Sequence, residues 1–301
     1  NGTNSGHVRI YNYNGTAWTQ LGSDIDGGAS YDNSGSSVSL SSDGTTVAIG
    51  AYDSSDRGQV RIFIYNGIQW SQLGADIYGE AVNDAYNNSR PQPLSLSSDG
   101  TIVAIGAIFN DGNGVDSGHV RIYNYNETAW IQLGEDINGE ATNDHFGWSI
   151  SLSSDGKTIA IGAVDNDGNG SASGHVRIHN YNGTAWTQLG ADIDGEDAND
   201  LFGFSVSLSS DGKTVAIGAN NNDGNGTDSG HVRIYNYSGS TWTQLGGDID
   251  GEAAGDHSGY SVSLSSDGTT LAVGATENNG NGTNSGHVRV YTLVKINNKQ
   301  P

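Results

Sequence analysis

One sequence unit recurs through the whole chain, and this repetition constrains the fold more than any other feature. The clearest copy starts with Phe-Gly at 202–203 and continues with Gly-Ala at 218–219, Gly-His-Val-Arg at 230–233 and Thr-Trp-Thr-Gln-Leu at 241–245. The glycine that opens Gly-His-Val-Arg recurs at 6, 118, 174, 230 and 286, and it opens Gly-Gln-Val-Arg at 58. A fixed period of this length is typical of solenoids and propellers.

Each unit contains four candidate strands that are bounded by turn residues. In the clearest copy they are Ser205–Leu208, Thr214–Ile217, His231–Tyr235 and Thr241–Leu245. Alternating β-branched and aromatic residues between Asp-Gly or Asn-Gly pairs indicate hairpins. We therefore predict an all-β fold, a β-propeller of four-stranded antiparallel blades built from tandem repeats of about 56 residues. A β-solenoid is the alternative.

The repeats predict a single β-propeller domain over residues 1–301. The third strand occurs six times and the other three strands five times each, so five repeats are visible with one extra strand. The first residues, Asn-Gly-Thr-Asn-Ser-Gly-His, are repeated at 281–287 in the middle of a loop, which suggests a fragment of a longer chain. A ring closed by the fourth strand at Ala17–Leu21 joining the three C-terminal strands is an equal alternative. The predicted repeats are approximately 6–57, 58–117, 118–173, 174–229 and 230–285, with a partial repeat at 286–301.

Charge and composition exclude several classes of partner. The chain has 34 acidic and 12 basic residues, a formal net charge of -22, and no cysteine. Such a field repels phosphate groups and anionic lipids, so we expect no nucleic-acid partner and no membrane insertion. The same field attracts cations, and calcium is the cation that carboxylate-rich loops prefer.

Two copies of the repeat resemble FG-GAP repeats, the blades of integrin-α-type propellers. The residues that carry the resemblance are Phe146-Gly147 and Phe202-Gly203, each followed by Ser-(Val/Ile)-Ser-Leu and then Gly-Ala. Other copies depart from this pattern, with Ser34-Gly35, Ser258-Gly259 and Pro91-Gln92-Pro93 at the same place. The resemblance implies a secreted or cell-surface module for adhesion and recognition. Family calcium sites lie between the first and second strands, where Ser-Ser-Asp-Gly is too short here to form one.

A different acidic loop follows the fourth strand, and its spacing suggests a calcium site. Carboxylates at loop positions 1, 3, 5 and 9 could supply the oxygens that calcium needs. The alternative is that these residues terminate strands, cap turns and pair with the repeated arginines. The candidate ligands are Asp192, Asp194, Glu196 and Asp200, with Asp136, Asn138, Glu140 and Asp144, and with Asp248, Asp250, Glu252 and Asp256.

The loop between the second and third strands offers a second set of oxygens. Asp165, Asp167 and Asn169 are candidate calcium ligands in Asp-Asn-Asp-Gly-Asn-Gly, although such runs are also common turns. In an antiparallel four-stranded blade, this loop and the one after strand four lie at the same end of the sheet. We therefore expect all these loops to form one acidic rim. The two length changes, at 52–57 and 87–93, also fall in these loops.

The remaining repeated residues are expected to be structural. The histidine of Gly-His-Val-Arg is replaced by Gln59 in one copy, which favours a hydrogen-bonding role. The repeated arginine should pair with a repeated aspartate, and the tryptophan of the fourth strand should pack between blades. Trp148 lies outside this pattern near the acidic rim, so Trp148 and Phe146 are the candidate residues for stacking on a ligand.

No arrangement of nucleophile, base and orienting residue is evident, so we do not expect an enzyme. The function predicted from the sequence is non-enzymatic extracellular recognition or adhesion through a calcium-loaded rim. The expected partner is an extracellular protein or a glycan, and self-association is a further possibility. Two alternatives remain open: a structural subunit of an extracellular filament or surface layer, and a glycan-binding lectin.

Overall fold

A computed structural model describes residues 2–52, 57–82, 84 and 92–293. Those residues form strands and turns, and no helix occurs among them. The all-β prediction is therefore confirmed. No helix long and apolar enough to cross a membrane is present in the described ranges. Residues 53–56 and 85–91, which contain most of the two predicted length changes, lie outside the described part of the chain.

The chain divides into two compact units where the repeats predicted a single domain. Unit 1 comprises residues 1–147 and 183–185, and unit 2 comprises residues 148–182 and 186–301. The main boundary falls just before a first strand, so each unit holds whole sheets. In a repeat array each repeat contacts its neighbours, and no single core has to span the chain.

Unit 1 contains fourteen strands among its described residues. They are β1 (His7–Val8), β2 (Tyr11–Tyr13), β3 (Trp18–Gln20), β4 (Ile25–Asp26), β5 (Ser37–Leu40), β6 (Thr46–Ala51), β7 (Gln59–Tyr65), β8 (Trp70–Gln72), β9 (Ile77–Tyr78), β10 (Leu94–Leu96), β11 (Ile102–Ala107), β12 (His119–Tyr125), β13 (Trp130–Gln132) and β14 (Ile137–Asn138).

Unit 2 contains thirteen strands among its described residues. They are β15 (Ser149–Leu152), β16 (Thr158–Ala163), β17 (His175–Tyr181), β18 (Trp186–Gln188), β19 (Ile193–Asp194), β20 (Ser205–Leu208), β21 (Thr214–Ala219), β22 (His231–Tyr237), β23 (Trp242–Gln244), β24 (Ile249–Asp250), β25 (Ser258–Leu264), β26 (Thr270–Ala275) and β27 (His287–Thr292).

Each complete repeat forms one antiparallel sheet in the predicted strand order. In the sheet of β20 to β24, the order is β20-β21-β22-β23, and β24 also pairs with β22. The predicted fourth strand is thus two short pieces, β23 and β24, on the same edge of β22. Gly246, with a φ of +75°, lies in the break between them. The break turns Asp248 toward Gln244, whose Nε2 donates to Asp248 Oδ1 at 2.6 Å.

The second strand of each complete repeat is the centre of the core. All six residues of β6, β11, β16 and β21 are buried. In unit 2, Val215 and Ile217 of β21 pack with Val176, Ile178 and Phe202 in one apolar cluster. A strand buried on both faces has no polar side, which explains why these segments read Thr-Val-Ala-Ile-Gly-Ala rather than as an alternating pattern.

Neighbouring repeats of unit 2 approach most closely at pairs of glycines. A Cβ on Gly162 of β16 would lie 2.2 Å from the carbonyl oxygen of Gly203, and one on Gly218 would lie 2.1 Å from that of Gly259. Gly203 and Gly259 have φ angles of +91° and +88°, which side-chain-bearing residues rarely adopt. The Phe-Gly and Gly-Ala motifs are therefore the two sides of one backbone contact between successive repeats.

Two rows of hydrogen bonds join neighbouring repeats at opposite edges of the sheets. At the first strands, the Ser151 hydroxyl accepts from the Leu208 amide at 3.0 Å, and Ser39 accepts from Leu96 at 2.9 Å. At the fourth strands, the Trp242 indole donates to the Leu189 carbonyl at 2.7 Å. Trp70 and Trp130 donate to Leu21 and Leu73 in the same way, which confirms that these tryptophans pack between repeats.

Trp242→Phe should test the contribution of this indole bond. We expect a loss of about 1 kcal/mol in the free energy of unfolding, because the Leu189 carbonyl loses its donor. Trp18→Phe is the matched control, since Trp18 is 69% exposed. Urea unfolding followed by circular dichroism would measure both. Equal stability of the two variants would contradict a role for the indole bond.

Candidate functional site

The loop after the second strand and the loop after the fourth strand meet within each unit. In unit 1, the Asn113 amide donates to the Gly139 carbonyl at 2.8 Å. In unit 2, Asn169 and Asn225 donate at 2.8 Å to Gly195 and Gly251. The prediction that both loop sets share one end of the sheets is confirmed for these repeats. We call these paired loops the acidic rim.

The aspartate at loop position 9 is buried and holds the loop in shape. Asp256 is 1% exposed, and its Oδ2 accepts from the Ala253 amide at 3.0 Å and from Asn278 at 2.9 Å. Asp200 is 3% exposed and accepts from Asp197 and Asn222. The other members of this set, Asp32, Asp84 and Asp144, are also buried. The carboxylate at position 9 is therefore a turn cap that also reaches the next repeat.

The aspartate at loop position 1 pairs with the repeated arginine. Arg233 donates to both oxygens of Asp248 at 3.1 and 3.0 Å. Arg121 donates in the same way to Asp136, and Arg9 to Asp24, so the predicted arginine–aspartate pairing is confirmed in these three repeats. Hydrogen bonds from Arg9 and then Gln20 lower the pKa of Asp24 to about 2.

The side chains at loop positions 3 and 5 make contacts that differ from those at positions 1 and 9. Asp194, Asp250 and Asn138 at position 3 are exposed. At position 5, Glu196 forms an ion pair with Arg233 of the following repeat, and Glu80 does so with Arg121. The structure therefore does not bring Asp192, Asp194, Glu196 and Asp200 together as one cage. Glu252 makes the equivalent contact with Arg289 at 3.4 Å, and Glu140 at the same loop position is exposed.

Acidic and histidine side chains converge instead across two loops. Within unit 1 the ligand atoms of Glu80, His119 and Asp136 lie within 4.8 Å of one another. Within unit 2 Glu196, His231 and Asp248 form the equivalent group. Each group joins position 5 of one loop to position 1 of the next loop, a combination that the spacing within a single loop could not reveal.

The Asn-Asp-Gly loops are ordered by their own side chains. Asp167 is exposed, and its Oδ1 accepts from the Ala172 amide at 2.9 Å. The Asn166 side chain accepts from Gly168, and Asp165 is partly buried. These contacts are turn chemistry.

The family calcium position does not fit this chain. In the turn between β20 and β21, Asp211 Oδ1 accepts from the Ser209 hydroxyl at 2.7 Å and from the Lys213 amide at 3.0 Å. Asp43, Asp99, Asp155 and Asp267 make the same contacts in their turns. One carboxylate held in a tight turn does not supply the six to eight oxygens of a calcium site.

The two aromatic residues predicted to contact a ligand differ in their surroundings. Phe146 is fully buried, so its ring is not available for stacking, and that prediction is wrong. The reason is that the Phe-Gly backbone contacts the Gly-His-Val-Arg glycine: a Cβ on Gly118 would lie 2.2 Å from the Phe146 carbonyl oxygen. The close backbone contact directs the phenylalanine ring into the core. Trp148 is half-buried.

Trp148 belongs to a row of rings in unit 2 that sequence reasoning missed. Its ring centroid lies 5.6 Å from that of Phe204, and Phe204 lies 5.0 Å from Tyr260. Tyr260 is 47% exposed, while Phe204 is half-buried. Each ring follows the glycine of Phe-Gly or Ser-Gly at a spacing of 56 residues, a signal present in the sequence. We call Trp148, Phe204 and Tyr260 the aromatic row.

Comparison with solved structures places these sheets in a known architecture. The periplasmic gluconolactonase of Pseudomonas aeruginosa is similar, with 15% identity, a TM-score of 0.57, and coverage of 88% of this chain and 70% of that one. A Dos1 propeller is similar with 13% identity and a TM-score of 0.51, and the alignment spans 94% of this chain but only 58% of that one. These similarities show the fold alone: the protein is an all-β propeller of four-stranded antiparallel sheets.

Three segments of the sequence match a family model. Residues 138–178, 192–235 and 249–291 match the FG-GAP repeat family. These three segments are therefore FG-GAP repeats, as the Phe-Gly and Gly-Ala residues indicated. No curated protein sequence matches the chain.

Substitution of one aspartate from each set should separate caps from free carboxylates. Asp256→Ala should lower the free energy of unfolding by about 1–3 kcal/mol, because the buried Asn278 amide and the Ala253 amide both lose their acceptor. Asp250→Ala, six residues earlier and exposed, should change it by less than about 0.5 kcal/mol. Chemical denaturation would measure both. A larger effect at Asp250 would contradict the assignment of position 9 as the cap.

Proposed function

We propose that this protein is a non-enzymatic recognition propeller that binds a glycan through the aromatic row and the neighbouring acidic rim. The aromatic row is the observation that carries the proposal. Its three rings occupy the same place in three successive repeats, immediately after the loops of the rim. Rings held at the start of the first strands of a sheet form a preorganised surface for a ligand.

The chemistry of the row suits a sugar chain. An aromatic face packs against the apolar C–H face of a pyranose ring, and a polar edge then satisfies the hydroxyl groups. The rim supplies that polar edge, including the exposed Asp194 and Asp250. A net charge of -22 disfavours sialylated or sulfated glycans. The proposed ligand is therefore a neutral or amino-sugar oligosaccharide on an extracellular partner.

The proposal is for binding rather than catalysis. The gluconolactonase that shares the fold is only 15% identical, and a shared fold carries many functions. The buried histidines His119 and His231 have lowered pKa values because burial disfavours the imidazolium form, and their carboxylate neighbours pair with arginine. Hydrolysis of a gluconolactone by the purified chain would contradict this part of the proposal.

We also propose that calcium binds the exposed part of the rim in a secreted or surface-displayed protein. The geometry that supports this is the close approach of the loop after the second strand to the loop after the fourth strand. A Cβ on Gly224 would lie 2.9 Å from Asn222 Oδ1 and 3.4 Å from Asp250 Oδ1. A Cβ on the equivalent Gly168 would lie 3.0 Å from Asn166 Oδ1 and 3.8 Å from Asp194 Oδ1. The carboxylates of Asp194 and Asp250 therefore lie beside the turns of the neighbouring loop set, and oxygens from two loops are the kind of ligand set that calcium takes.

Removal of single rings should test the aromatic row. Phe204→Ala and Tyr260→Ala should each weaken binding to a neutral glycan identified on an array by about fivefold, because one stacked ring contributes about 1 kcal/mol. Trp18→Ala removes an exposed aromatic residue outside the row and should leave affinity unchanged. Isothermal titration would measure all three. Equal affinity of the four proteins would place the ligand elsewhere.

Calcium should stabilise the folded chain. A cation that binds only the native rim adds about 2.7 kcal/mol at a hundredfold excess over its dissociation constant. The melting temperature should therefore rise with millimolar calcium and fall with a chelator, and sodium chloride at equal ionic strength should do less. Asp194→Asn with Asp250→Asn should reduce the shift. A melting temperature that is insensitive to calcium would remove the metal from the proposal without affecting the glycan test.

A further inference from the structure

One group of side chains lies between successive repeats and is used neither by the aromatic row nor by the exposed rim oxygens. In unit 1 it consists of Glu80 from one repeat, and His119 and Asp136 from the next. In unit 2 the same group is Glu196, His231 and Asp248. The ligand atoms of each group lie within 4.8 Å of one another, so a small adjustment of side chains would place all three on one ion.

The histidine in each group is buried and has a ring nitrogen without a hydrogen-bond partner. His119 is 3% exposed, its Nδ1 has no such partner, and this atom lies 3.8 Å from Asp136 Oδ2. His231 is 1% exposed, and there the nitrogen that faces Asp248 Oδ2 at 3.8 Å is Nδ1, whereas the nitrogen without a partner is Nε2. A buried polar atom without a partner costs about 1–3 kcal/mol, so the Nδ1 of His119, which faces the carboxylates, calls for a physical cause.

The glutamate and the histidine change together along the chain. Loops with Glu80, Glu140, Glu196 and Glu252 are followed by repeats with His119, His175, His231 and His287. The remaining loop has Gly28, and the repeat that follows it has Gln59. In that repeat the Gln59 amide donates to Asp76 at 2.6 Å and to the Tyr78 hydroxyl at 3.1 Å. Hydrogen bonds from the uncharged Gln59 amide therefore fill the site in the repeat that lacks both the glutamate and the histidine.

This paired change gives the replacement of histidine by Gln59 a different meaning. Taken alone, glutamine at that position indicates a hydrogen-bonding role for the histidine. Taken with Gly28, it shows that histidine is kept wherever the preceding loop provides a carboxylate. A purely structural hydrogen bond to the position 1 aspartate would not depend on that glutamate.

The arginine in the group leaves coordination sites open. Arg121 Nε donates to Asp136 Oδ1 at 3.0 Å, and its Nη2 donates to Asp136 Oδ2 at 3.3 Å and also contacts Glu80 Oε1. A carboxylate oxygen has two lone pairs, so Asp136 Oδ2 keeps one for a metal, and Glu80 keeps its Oε2. Hydrogen bonds of this kind orient carboxylate ligands around a metal. Burial lowers the pKa of His119, which keeps the imidazole neutral and its lone pair available near pH 7.

We propose that Glu80, His119 and Asp136, and equally Glu196, His231 and Asp248, bind a divalent transition metal of the zinc class between successive repeats. One imidazole nitrogen with two carboxylate oxygens suits zinc, cobalt or nickel better than calcium, which prefers oxygen alone. Two carboxylates and one arginine carry a net charge of -1, so a divalent ion is electrostatically favourable there. The ion would join the loop of one repeat to the third strand of the next.

The test measures the number of ions bound by the full chain. Chelator-treated protein is titrated with zinc by calorimetry and with cobalt by visible absorption, which reports nitrogen and oxygen coordination. His119→Gln and His231→Gln each place in their repeat the residue already present at position 59, so the fold should persist. Each variant should bind one ion fewer than the parent, and excess calcium should not restore it.

A gain of one ion provides the converse test. Gly28→Glu combined with Gln59→His should raise the number of bound zinc ions by one. The substitution has room, because a Cβ on Gly28 would meet only Asp32 Oδ2, at 3.3 Å. Unchanged zinc binding in the loss and gain variants alike would overturn the proposal. Stability that rises on acidification in chelator-treated protein without any zinc binding would also overturn it, and would identify a glutamate–imidazolium ion pair instead.

Discussion

The close contact between two glycines of successive repeats is the constraint on which the rest of each unit depends. One glycine belongs to Phe-Gly and has a positive φ, and the other lies in the buried second strand, as for Gly203 and Gly162. Because neither carries a side chain, the backbones approach to a distance that any Cβ would prevent. This approach sets the spacing of the sheets, and therefore the distances over which the serine and indole hydrogen bonds can form.

The spacing between neighbouring sheets also brings together the residues of the candidate sites. Glu196 reaches Arg233 and the neighbourhood of His231 only because the loop of one repeat lies against the third strand of the next. The aromatic row forms because each of its rings follows one of these glycines, so that Trp148 contacts Phe204 and Phe204 contacts Tyr260. The proposed ligand surfaces are thus properties of pairs of repeats, not of one loop.

Much of the fold could be predicted because hairpin signals are local. Asp-Gly turns and alternating strands identified four strands per repeat, and a buried arginine required the partner found in Asp248. The sites were harder because they depend on contacts between repeats. The spacing in one loop suggested that Asp192 and Asp200 act together, yet Asp200 is a buried cap. The paired change of Gly28 and Gln59 could be interpreted only once Glu80 was known to lie beside His119.

The two rows of hydrogen bonds between repeats also determine how the protein carries a mechanical load. A force that draws one repeat away from its neighbour must stretch the serine bond at the first strands and the indole bond at the fourth strands together. Bonds loaded in parallel share the force, whereas bonds loaded in series break one after another. An array of this kind would resist shear at each such junction and yield only when both edges fail at once.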